Sequence, residues 1–214
     1  MMIEPQGTLQ GRDWLVTDAG ECQLRPAARE WDLIRDRYYF HRFLTEITDL
    51  LDRAIHESEE WDYLPQIRMR VRQLVANSYW VQTQCPDPCP KTGFAIQTLY
   101  DEIGYPLTVQ NVIFLPGVSS PLHNHGTWGV VAVLKGLEKH TFWRRTHDPE
   151  LPDRVVPVGE KILSPGEIIS FTPQAIHSIE SIGAEPTLTF QIYGDTQPRS
   201  RFEFDPIACT AKPF

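Results

Sequence analysis

Two histidines separated by a single residue are the chemically strongest feature of the sequence. His123 and His125 follow a predicted turn, and in an extended segment residues two apart point to the same side, so both imidazoles can bind one metal ion. A third histidine, His177, lies at the start of a predicted strand. Imidazole nitrogen suits iron, nickel, copper and zinc alike. A His-x-His pair alone is more often two partly exposed polar residues, so the spacing by itself leaves both interpretations open.

The three histidines lie in a half of the chain that is predicted to form a series of short strands. Pro-Gly, Lys-Gly and Ser-Pro-Gly turns separate the segments, and no helical pattern lies between them. Many short strands without intervening helices predict an all-β sandwich or barrel, and closure into a barrel also removes exposed strand edges. The predicted strands cover residues 94–100, 107–115, 128–134, 140–144, 167–171, 176–182 and 187–193.

The first part of the chain has the periodicity of amphipathic helices. Apolar side chains recur every three or four residues between positions 27 and 56 and again between positions 59 and 81, which is the spacing of one face of a helix. We predict that residues 1–90 form a helical extension that packs on a barrel of residues 91–214, the two making one structural domain.

The composition favours a small-molecule partner. The 214 residues include 28 acidic and 20 basic side chains, a formal net charge of -8, and this balance disfavours non-specific binding to nucleic acid or to an anionic membrane surface. Arg68, Arg70 and Arg72 could form a nucleic-acid patch, but the acidic total favours a solvated helix face. No stretch approaches the roughly 20 apolar residues that span a bilayer. We therefore expect a cytoplasmic protein that is a monomer or a homodimer.

Cys85 and Cys89 lie close together in the sequence, among three prolines. A zinc half-site or a redox switch is one interpretation of this pair. No second Cys or His pair stands at zinc-finger spacing to complete four ligands, which favours a plain Pro-rich linker.

Two segments resemble the two motifs of the cupin superfamily. Residues 117–125, which read Gly-Val-Ser-Ser-Pro-Leu-His-Asn-His and lead to a turn at Gly136, resemble the first motif, and residues 166–177 resemble the second. The resemblance implies a mainly β fold, a double-stranded β-helix preceded here by the N-terminal α-helices. It also implies a metal ion inside the barrel, bound by the three histidines.

One departure from the common cupin pattern points to a subgroup. Most cupins carry a glutamate ligand three or four residues after the second histidine, where this sequence has Trp128 and Gly129. An all-histidine site is characteristic of the cysteine dioxygenase group and its bacterial relatives that act on 3-mercaptopropionate. The resemblance implies Fe(II), with nickel or zinc as possible occupants of the isolated protein. It also implies that O2 oxidises a small thiol carboxylate to its sulfinate.

Functional residues of this group can be matched one by one to positions of this sequence, with two departures. Tyr193 matches the active-site tyrosine, whose hydroxyl would face the bound oxygen. Gln191 stands where the family's Ser-x-His-x-Tyr relay has its histidine, so it can orient the tyrosine hydroxyl but cannot shuttle a proton. Gln97 stands where cysteine dioxygenase has the arginine that holds the substrate carboxylate. We therefore expect Arg199 or Arg201 to bind the substrate carboxylate instead.

Two further functions remain open from the sequence. A cupin oxygenase that acts on a non-thiol substrate is favoured by the loss of the relay histidine, and a metal-dependent binding or sensing cupin without turnover is the alternative from another class. A small, closed, partly basic pocket would favour the thiol dioxygenase, and a wide apolar pocket would favour the others. His140, a lone histidine on the strand after Gly136, could line the mouth of the barrel, but a lone histidine is more often a packed or surface residue.

Overall fold

The computed structural model describes residues 13–25, 38–54, 60–105, 107–146, 148–195 and 198–214. Part of the first predicted helical stretch, residues 27–37, lies outside these ranges. The helices are α1 (Phe40–Ala54), α2 (Glu60–Asn77) and α3 (Tyr79–Thr83). The strands are β1 (Asp13–Val16), β2 (Cys22–Arg25), β3 (Phe94–Asp101), β4 (Leu107–Phe114), β5 (Gly129–Lys135), β6 (Leu137–Arg145), β7 (Val155–Leu163), β8 (Ile168–Phe171), β9 (Ile176–Ile182), β10 (Thr187–Gly194), β11 (Phe202–Asp205) and β12 (Thr210–Pro213).

Two sheets enclose a common interior. The larger has the strand order β2-β1-β8-β5-β10-β4-β3, and the smaller has the order β7-β6-β9. The chain passes from β4 and β5 in the larger sheet to β6 and β7 in the smaller, and then alternates through β8, β9 and β10. Val131 and Phe171 of the larger sheet pack in one cluster with Phe142 of the smaller. This alternation is the arrangement of a double-stranded β-helix, so the predicted mainly β fold with preceding helices is confirmed.

The sequence patterns miss five strands, namely β1, β2, β7, β11 and β12. β1 and β2 have four residues each, which is too short for a period-two pattern to stand out. β1 nevertheless pairs in parallel with β8, so the N-terminal extension contributes strands to the larger sheet. β7 contains Pro157 and Gly159, which weaken a strand pattern. The sheet accommodates both because β7 is an edge strand.

Helices α1 and α2 cover the outer face of the larger sheet. The Phe43 ring of α1 meets the Phe190 ring of β10 edge-on, with 5.9 Å between centroids. Alternation along β10 places Phe190 and Ile192 under the helices, whereas Gln191 and Tyr193 face the interior. Within the described residues, no helix combines the length and the apolar character needed to cross a membrane.

The sequence predicted that Arg68 lies on a solvated helix face, and this prediction is wrong. Its side chain is 2% exposed, Nη1 donates to Ser170 Oγ at 2.9 Å, and Nε lies 3.6 Å from Asp13 Oδ2. Arg72 forms a second ion pair with Asp13. A guanidinium is buried at acceptable cost only with such partners, and helical periodicity could not reveal them because they are distant in sequence. The cluster joins α2 to β1 and β8.

Candidate metal centre

His123, His125 and His177 meet at one point of the interior. Each offers one ring nitrogen, and these nitrogens all lie within 4.8 Å of one another. The N–H of His123 donates to the carbonyl oxygen of His177 at 2.9 Å, and the N–H of His177 donates back at 2.9 Å. This bridge fixes His123 against β9, a second bridge joins His123 to Glu203 of β11, and His125 lies in the loop that leads to β5. The pair thus converges through isolated bridges and a loop, not through the alternation of a regular strand.

The segment after β10 holds the loop that carries the second histidine. Asn124 Nδ2 donates to the Ser200 carbonyl oxygen at 2.8 Å, and the N–H of Phe202 donates to Asn124 Oδ1 at 2.7 Å. Gly126 has φ +66°, and a Cβ there would lie 2.9 Å from the Ser200 carbonyl carbon. Glycine is therefore required at this position both by conformation and by space. Asn124 and Gly126 together set the direction of His125.

Burial keeps the three imidazoles neutral. The side chains of His123, His125 and His177 are 7%, 8% and 3% exposed. Burial lowers the pKa of His123 from 6.5 to about 4. Burial, followed by the neighbouring histidines, also holds the pKa values of His125 and His177 well below the ordinary range. At neutral pH each ring therefore keeps one nitrogen with a free lone pair, as metal binding requires.

The donor set fits a divalent transition metal. Nδ1 of His123 lies 2.9 Å from the Pro121 carbonyl oxygen, which can only accept, so Nδ1 carries the proton and Nε2 carries the lone pair. Nε2 of His125 and Nε2 of His177 lie 3.0 Å apart. Among the described residues, these three side chains form the one group of three or more His, Cys, Asp or Glu that could hold a metal ion. Imidazole donors select no single metal among iron, nickel, copper and zinc.

Tyr193 stands beside the three histidines at the end of a hydrogen-bonded chain. Its ring stacks on the His125 ring, with 4.5 Å between centroids and 26° between planes. Its hydroxyl donates to Gln191 Oε1 at 2.8 Å. Gln191 also accepts from Gln110 Nε2 at 3.0 Å and donates through Nε2 to Thr189 Oγ1 at 2.9 Å. These contacts fix the orientation of the Gln191 amide and, through it, the tyrosine hydroxyl.

Gly129 provides the space that the Tyr193 ring occupies. The two residues are directly opposite each other on β5 and β10, and a Cβ on Gly129 would lie 2.8 Å from both Cδ1 and Cε1 of the ring. Burial, and then the nearby Glu138 carboxylate, raises the pKa of Tyr193 well above its ordinary value. The hydroxyl is therefore protonated at neutral pH.

The histidines open onto an internal cavity of about 530 Å³. Arg201 lines it, and its guanidinium lies over the Phe214 ring at 4.3 Å. The Phe214 ring in turn lies 5.1 Å from the His123 ring. The cavity is lined by Phe94, Ile96, Asp101, Thr108, Gln110, Val112, Phe114, Ser119, Ser120, Pro121, His123, His125, Val131, Glu138, His140, His177, Ile179, Gln191, Tyr193, Arg201 and Phe214.

Two of the expected substrate residues are not brought to this cavity. Gln97 donates through Nε2 to Gln84 Oε1 at 3.1 Å and does not line the cavity. Arg199 is exposed and is also absent from the lining. Of the four predicted substrate residues, the cavity contains Gln191 and Arg201. Cys85 and Cys89 are exposed free thiols in the irregular segment before β3.

A buried carboxylate in the cavity is the feature that the sequence analysis missed. Glu138 Oε1 lies 2.8 Å from His140 Nε2, and both side chains are 1% exposed. His140 is thus a packed residue, and it lines the cavity. Glu138, His140 and Phe142 face the interior from alternate positions of β6. Polar residues at inward positions of a strand were the signal that could have identified them.

Comparison with known proteins gives distant similarity. The chain matches no protein-family model. Similar solved structures include oxalate oxidase in complex with glycolate, at 16% identity and a TM-score of 0.42 over 54% of this chain and 58% of that chain. A cupin_2 domain of an XRE family transcriptional regulator from Enterobacter cloacae has 14% identity and a TM-score of 0.35 over 47% and 95%. The Schizosaccharomyces pombe Cnp3 cupin domain has 13% identity and a TM-score of 0.39 over 49% and 61%.

This chain spans less than two thirds of the length of that oxalate oxidase. The strand topology alone identifies the fold. The chain is a mainly β protein in which three neutral histidines meet at one point of a cavity between two sheets.

Proposed function

We propose that the protein is a metal-dependent oxygenase of the cysteine dioxygenase type, which uses Fe(II) held by His123, His125 and His177 to oxidise a thiol carboxylate with O2. The observation that carries the proposal is the all-histidine donor set, buried and neutral, beside the ring of Tyr193. Three neutral ligands leave the double charge of the metal uncompensated, which favours an anionic substrate. The overall reaction is RS⁻ + O2 → RSO2⁻, in which both oxygen atoms pass to sulfur.

When bound, Fe(II) supplies the redox chemistry with O2 and the Lewis acidity that favours the thiolate form of the substrate. The protein's own residues bind and orient. Arg201 is the proposed anchor for the carboxylate, because its guanidinium lines the cavity and its Nε atom is buried without a hydrogen-bond partner. A carboxylate would satisfy that nitrogen through a charge-assisted hydrogen bond.

Gln191 is proposed to position Tyr193 and not to carry a proton. An amide has no titratable proton near neutral pH, so the hydroxyl is held by a fixed acceptor at 2.8 Å. The same amide accepts from Gln110 and donates to Thr189, which restricts its rotation. We therefore expect Gln191 to affect the orientation of the Tyr193 hydroxyl and to leave the pH dependence of turnover unchanged.

A second candidate, an oxygenase that acts on a non-thiol substrate, is favoured by the size of the cavity. A volume of about 530 Å³ lies in the range of pockets that hold ligands much larger than a three-carbon thiol. Apolar side chains form much of its wall, including Val112, Phe114 and Ile179, which pack in one cluster. Such a wall suits a substrate with a sizeable hydrocarbon body.

The deciding experiment is anaerobic loading with Fe(II), followed by measurement of oxygen uptake with cysteine, cysteamine and 3-mercaptopropionate. Thiol dioxygenation predicts one O2 consumed per sulfinate formed, with both atoms of labelled O2 recovered in the product. His177→Ala is the matched negative control, because it removes one ligand. Full iron loading without turnover of any of the three thiols would reject the first candidate and leave the second, or a binding protein without turnover.

Arg201→Gln separates the anchor from the chemistry. We expect KM for 3-mercaptopropionate to rise about tenfold or more, since a charged hydrogen bond is lost. Cysteamine has no carboxylate and its KM should change little. An equal effect on both thiols would remove Arg201 from the role of carboxylate anchor.

A further inference from the structure

A buried carboxylate and imidazole face the cavity without belonging to the metal centre. Glu138 and His140 are joined by a 2.8 Å hydrogen bond and are 1% exposed. Their remaining polar atoms, Glu138 Oε2 and His140 Nδ1, are both buried and have no hydrogen-bond partner. Neither residue belongs to the group of described side chains that could hold a metal. Native interiors rarely leave such atoms unpaired, so this pair requires a partner that the protein does not supply.

The missing partner must donate hydrogen bonds and can carry positive charge. A carboxylate oxygen can only accept. Among the described residues that line the cavity, Arg201 is the one Lys or Arg, and it lies against Phe214. Within the described residues Glu138 pairs with His140 and with no Lys or Arg. Its second carboxylate oxygen is therefore left for a ligand to satisfy.

We propose that Glu138, oriented by His140, binds the ammonium group of an amine-bearing ligand. An ammonium group offers three N–H donors and one positive charge, which complement the buried Glu138 Oε2. Ile179 stands opposite His140 on the neighbouring strand and packs with Val112 in the apolar wall of the cavity. This wall would contact the hydrocarbon part of the ligand. The inference rests on the proposed function only in taking that ligand to be the substrate.

The test compares n-pentylamine with 1-pentanol on the full-length, Zn(II)-loaded protein by isothermal titration calorimetry. The two probes share size and hydrocarbon body, and neither is a thiol, so the result does not depend on thiol oxidation. We expect the amine to bind about tenfold or more tightly, the ratio expected for one charged hydrogen bond. Glu138→Gln, which retains size and polarity, should abolish this preference without weakening the binding of 1-pentanol.

Glu180→Gln is the matched control. Glu180 forms an ion pair with Lys139 at the surface, and removing this ion pair should leave the preference for the amine over the alcohol intact. Equal affinity for the two probes in the unmodified protein, or no binding of the amine, would overturn the proposal even if Glu138→Gln failed to fold. A preference that survived Glu138→Gln would place the amine elsewhere, for example on the metal, and would also overturn it. Failure of the oxygen-uptake assay with thiols would reject the proposed function alone.

Discussion

Replacing Gly129 by alanine should displace the tyrosine beside the metal centre without touching a ligand. The added Cβ would lie 2.8 Å from Cδ1 and Cε1 of Tyr193, whereas carbon atoms pack at about 3.5–4.0 Å. The ring must therefore move by roughly 0.7–1.2 Å. It cannot turn freely, because it stacks on His125 and its hydroxyl is bonded to Gln191 at 2.8 Å. A movement of this size lengthens or breaks that hydrogen bond.

Two magnitudes follow from this displacement. Overpacking of a buried site typically costs about 1–3 kcal/mol, so the free energy of unfolding of Gly129→Ala should fall by this amount. A misplacement of about 1 Å at an active site can lower the rate by up to about a hundredfold. Loss of one positioned hydroxyl costs about tenfold or more. We therefore expect the oxygenase rate to fall between about tenfold and a hundredfold while the metal content stays at the level of the unmodified protein.

The assay combines metal analysis, urea denaturation and oxygen uptake on the same preparations. Tyr193→Phe provides the comparison in which the hydroxyl is removed and the ring stays. Gly159→Ala is the matched control: it lies in a strand of the smaller sheet, and an added Cβ would meet no described atom closer than Phe142 Cδ2 at 3.9 Å. A Gly129→Ala variant as stable and as active as Gly159→Ala would refute the steric argument.

The other predictions concern the ligands, the pH dependence of stability and the buried arginine. Alanine at His123, His125 or His177 should abolish metal binding in metal analysis of the purified variants, whereas His140→Ala should retain the metal; metal retention in any of the first three would contradict the ligand set. In the metal-free protein, folding lowers the pKa of His123 from 6.5 to about 4. As the pH falls, His123 is therefore protonated in the unfolded state at a higher pH than in the folded state. Stability present above pH 6.5 should thus be lost on acidification, by about 2 kcal/mol between pH 7 and pH 5 from His123 alone and by more in total, because the pKa values of His125 and His177 are lowered too. Urea titrations measure this loss, and unchanged or greater stability at pH 5 would show that the sign is wrong. Arg68→Ala should lower the free energy of unfolding by about 3 kcal/mol, because it leaves a buried carboxylate with one cation fewer, and full stability would show that the ion pair is dispensable.

The sequence was sufficient to predict the helices and strands whose local residue pattern is long enough to be recognised. Helices α1 and α2 show helical periodicity, and the seven predicted strands are short runs bounded by turns that contain Pro and Gly. The four-residue strands β1 and β2 have no such pattern. β1 joins the larger sheet by pairing with β8, which lies more than 140 residues away along the chain, and β2 joins it through β1. Local propensity cannot encode a partner at that distance.

The order and spacing of the histidines could likewise be identified from the sequence, because two motifs with a fixed separation are specific. What the spacing could not give was the partners of polar side chains across the barrel. Gln97 matched a substrate-binding position through the resemblance to the cysteine dioxygenase group, yet its amide bonds to Gln84. The sequence offered Arg199 and Arg201 equally as anchors for the carboxylate, but of the two only Arg201 lines the cavity.

By itself, the sequence determined which residues could bind a metal and that a strand would carry His177, since ligand chemistry and strand pattern are local properties. Only the tertiary structure decided the charge and surroundings of the site. Folding buries the imidazoles and so lowers their pKa values, and it brings Glu138 and His140 into the cavity. Burial and the meeting of charges depend on which distant segments close over a residue, and that is fixed by the packing of the two sheets.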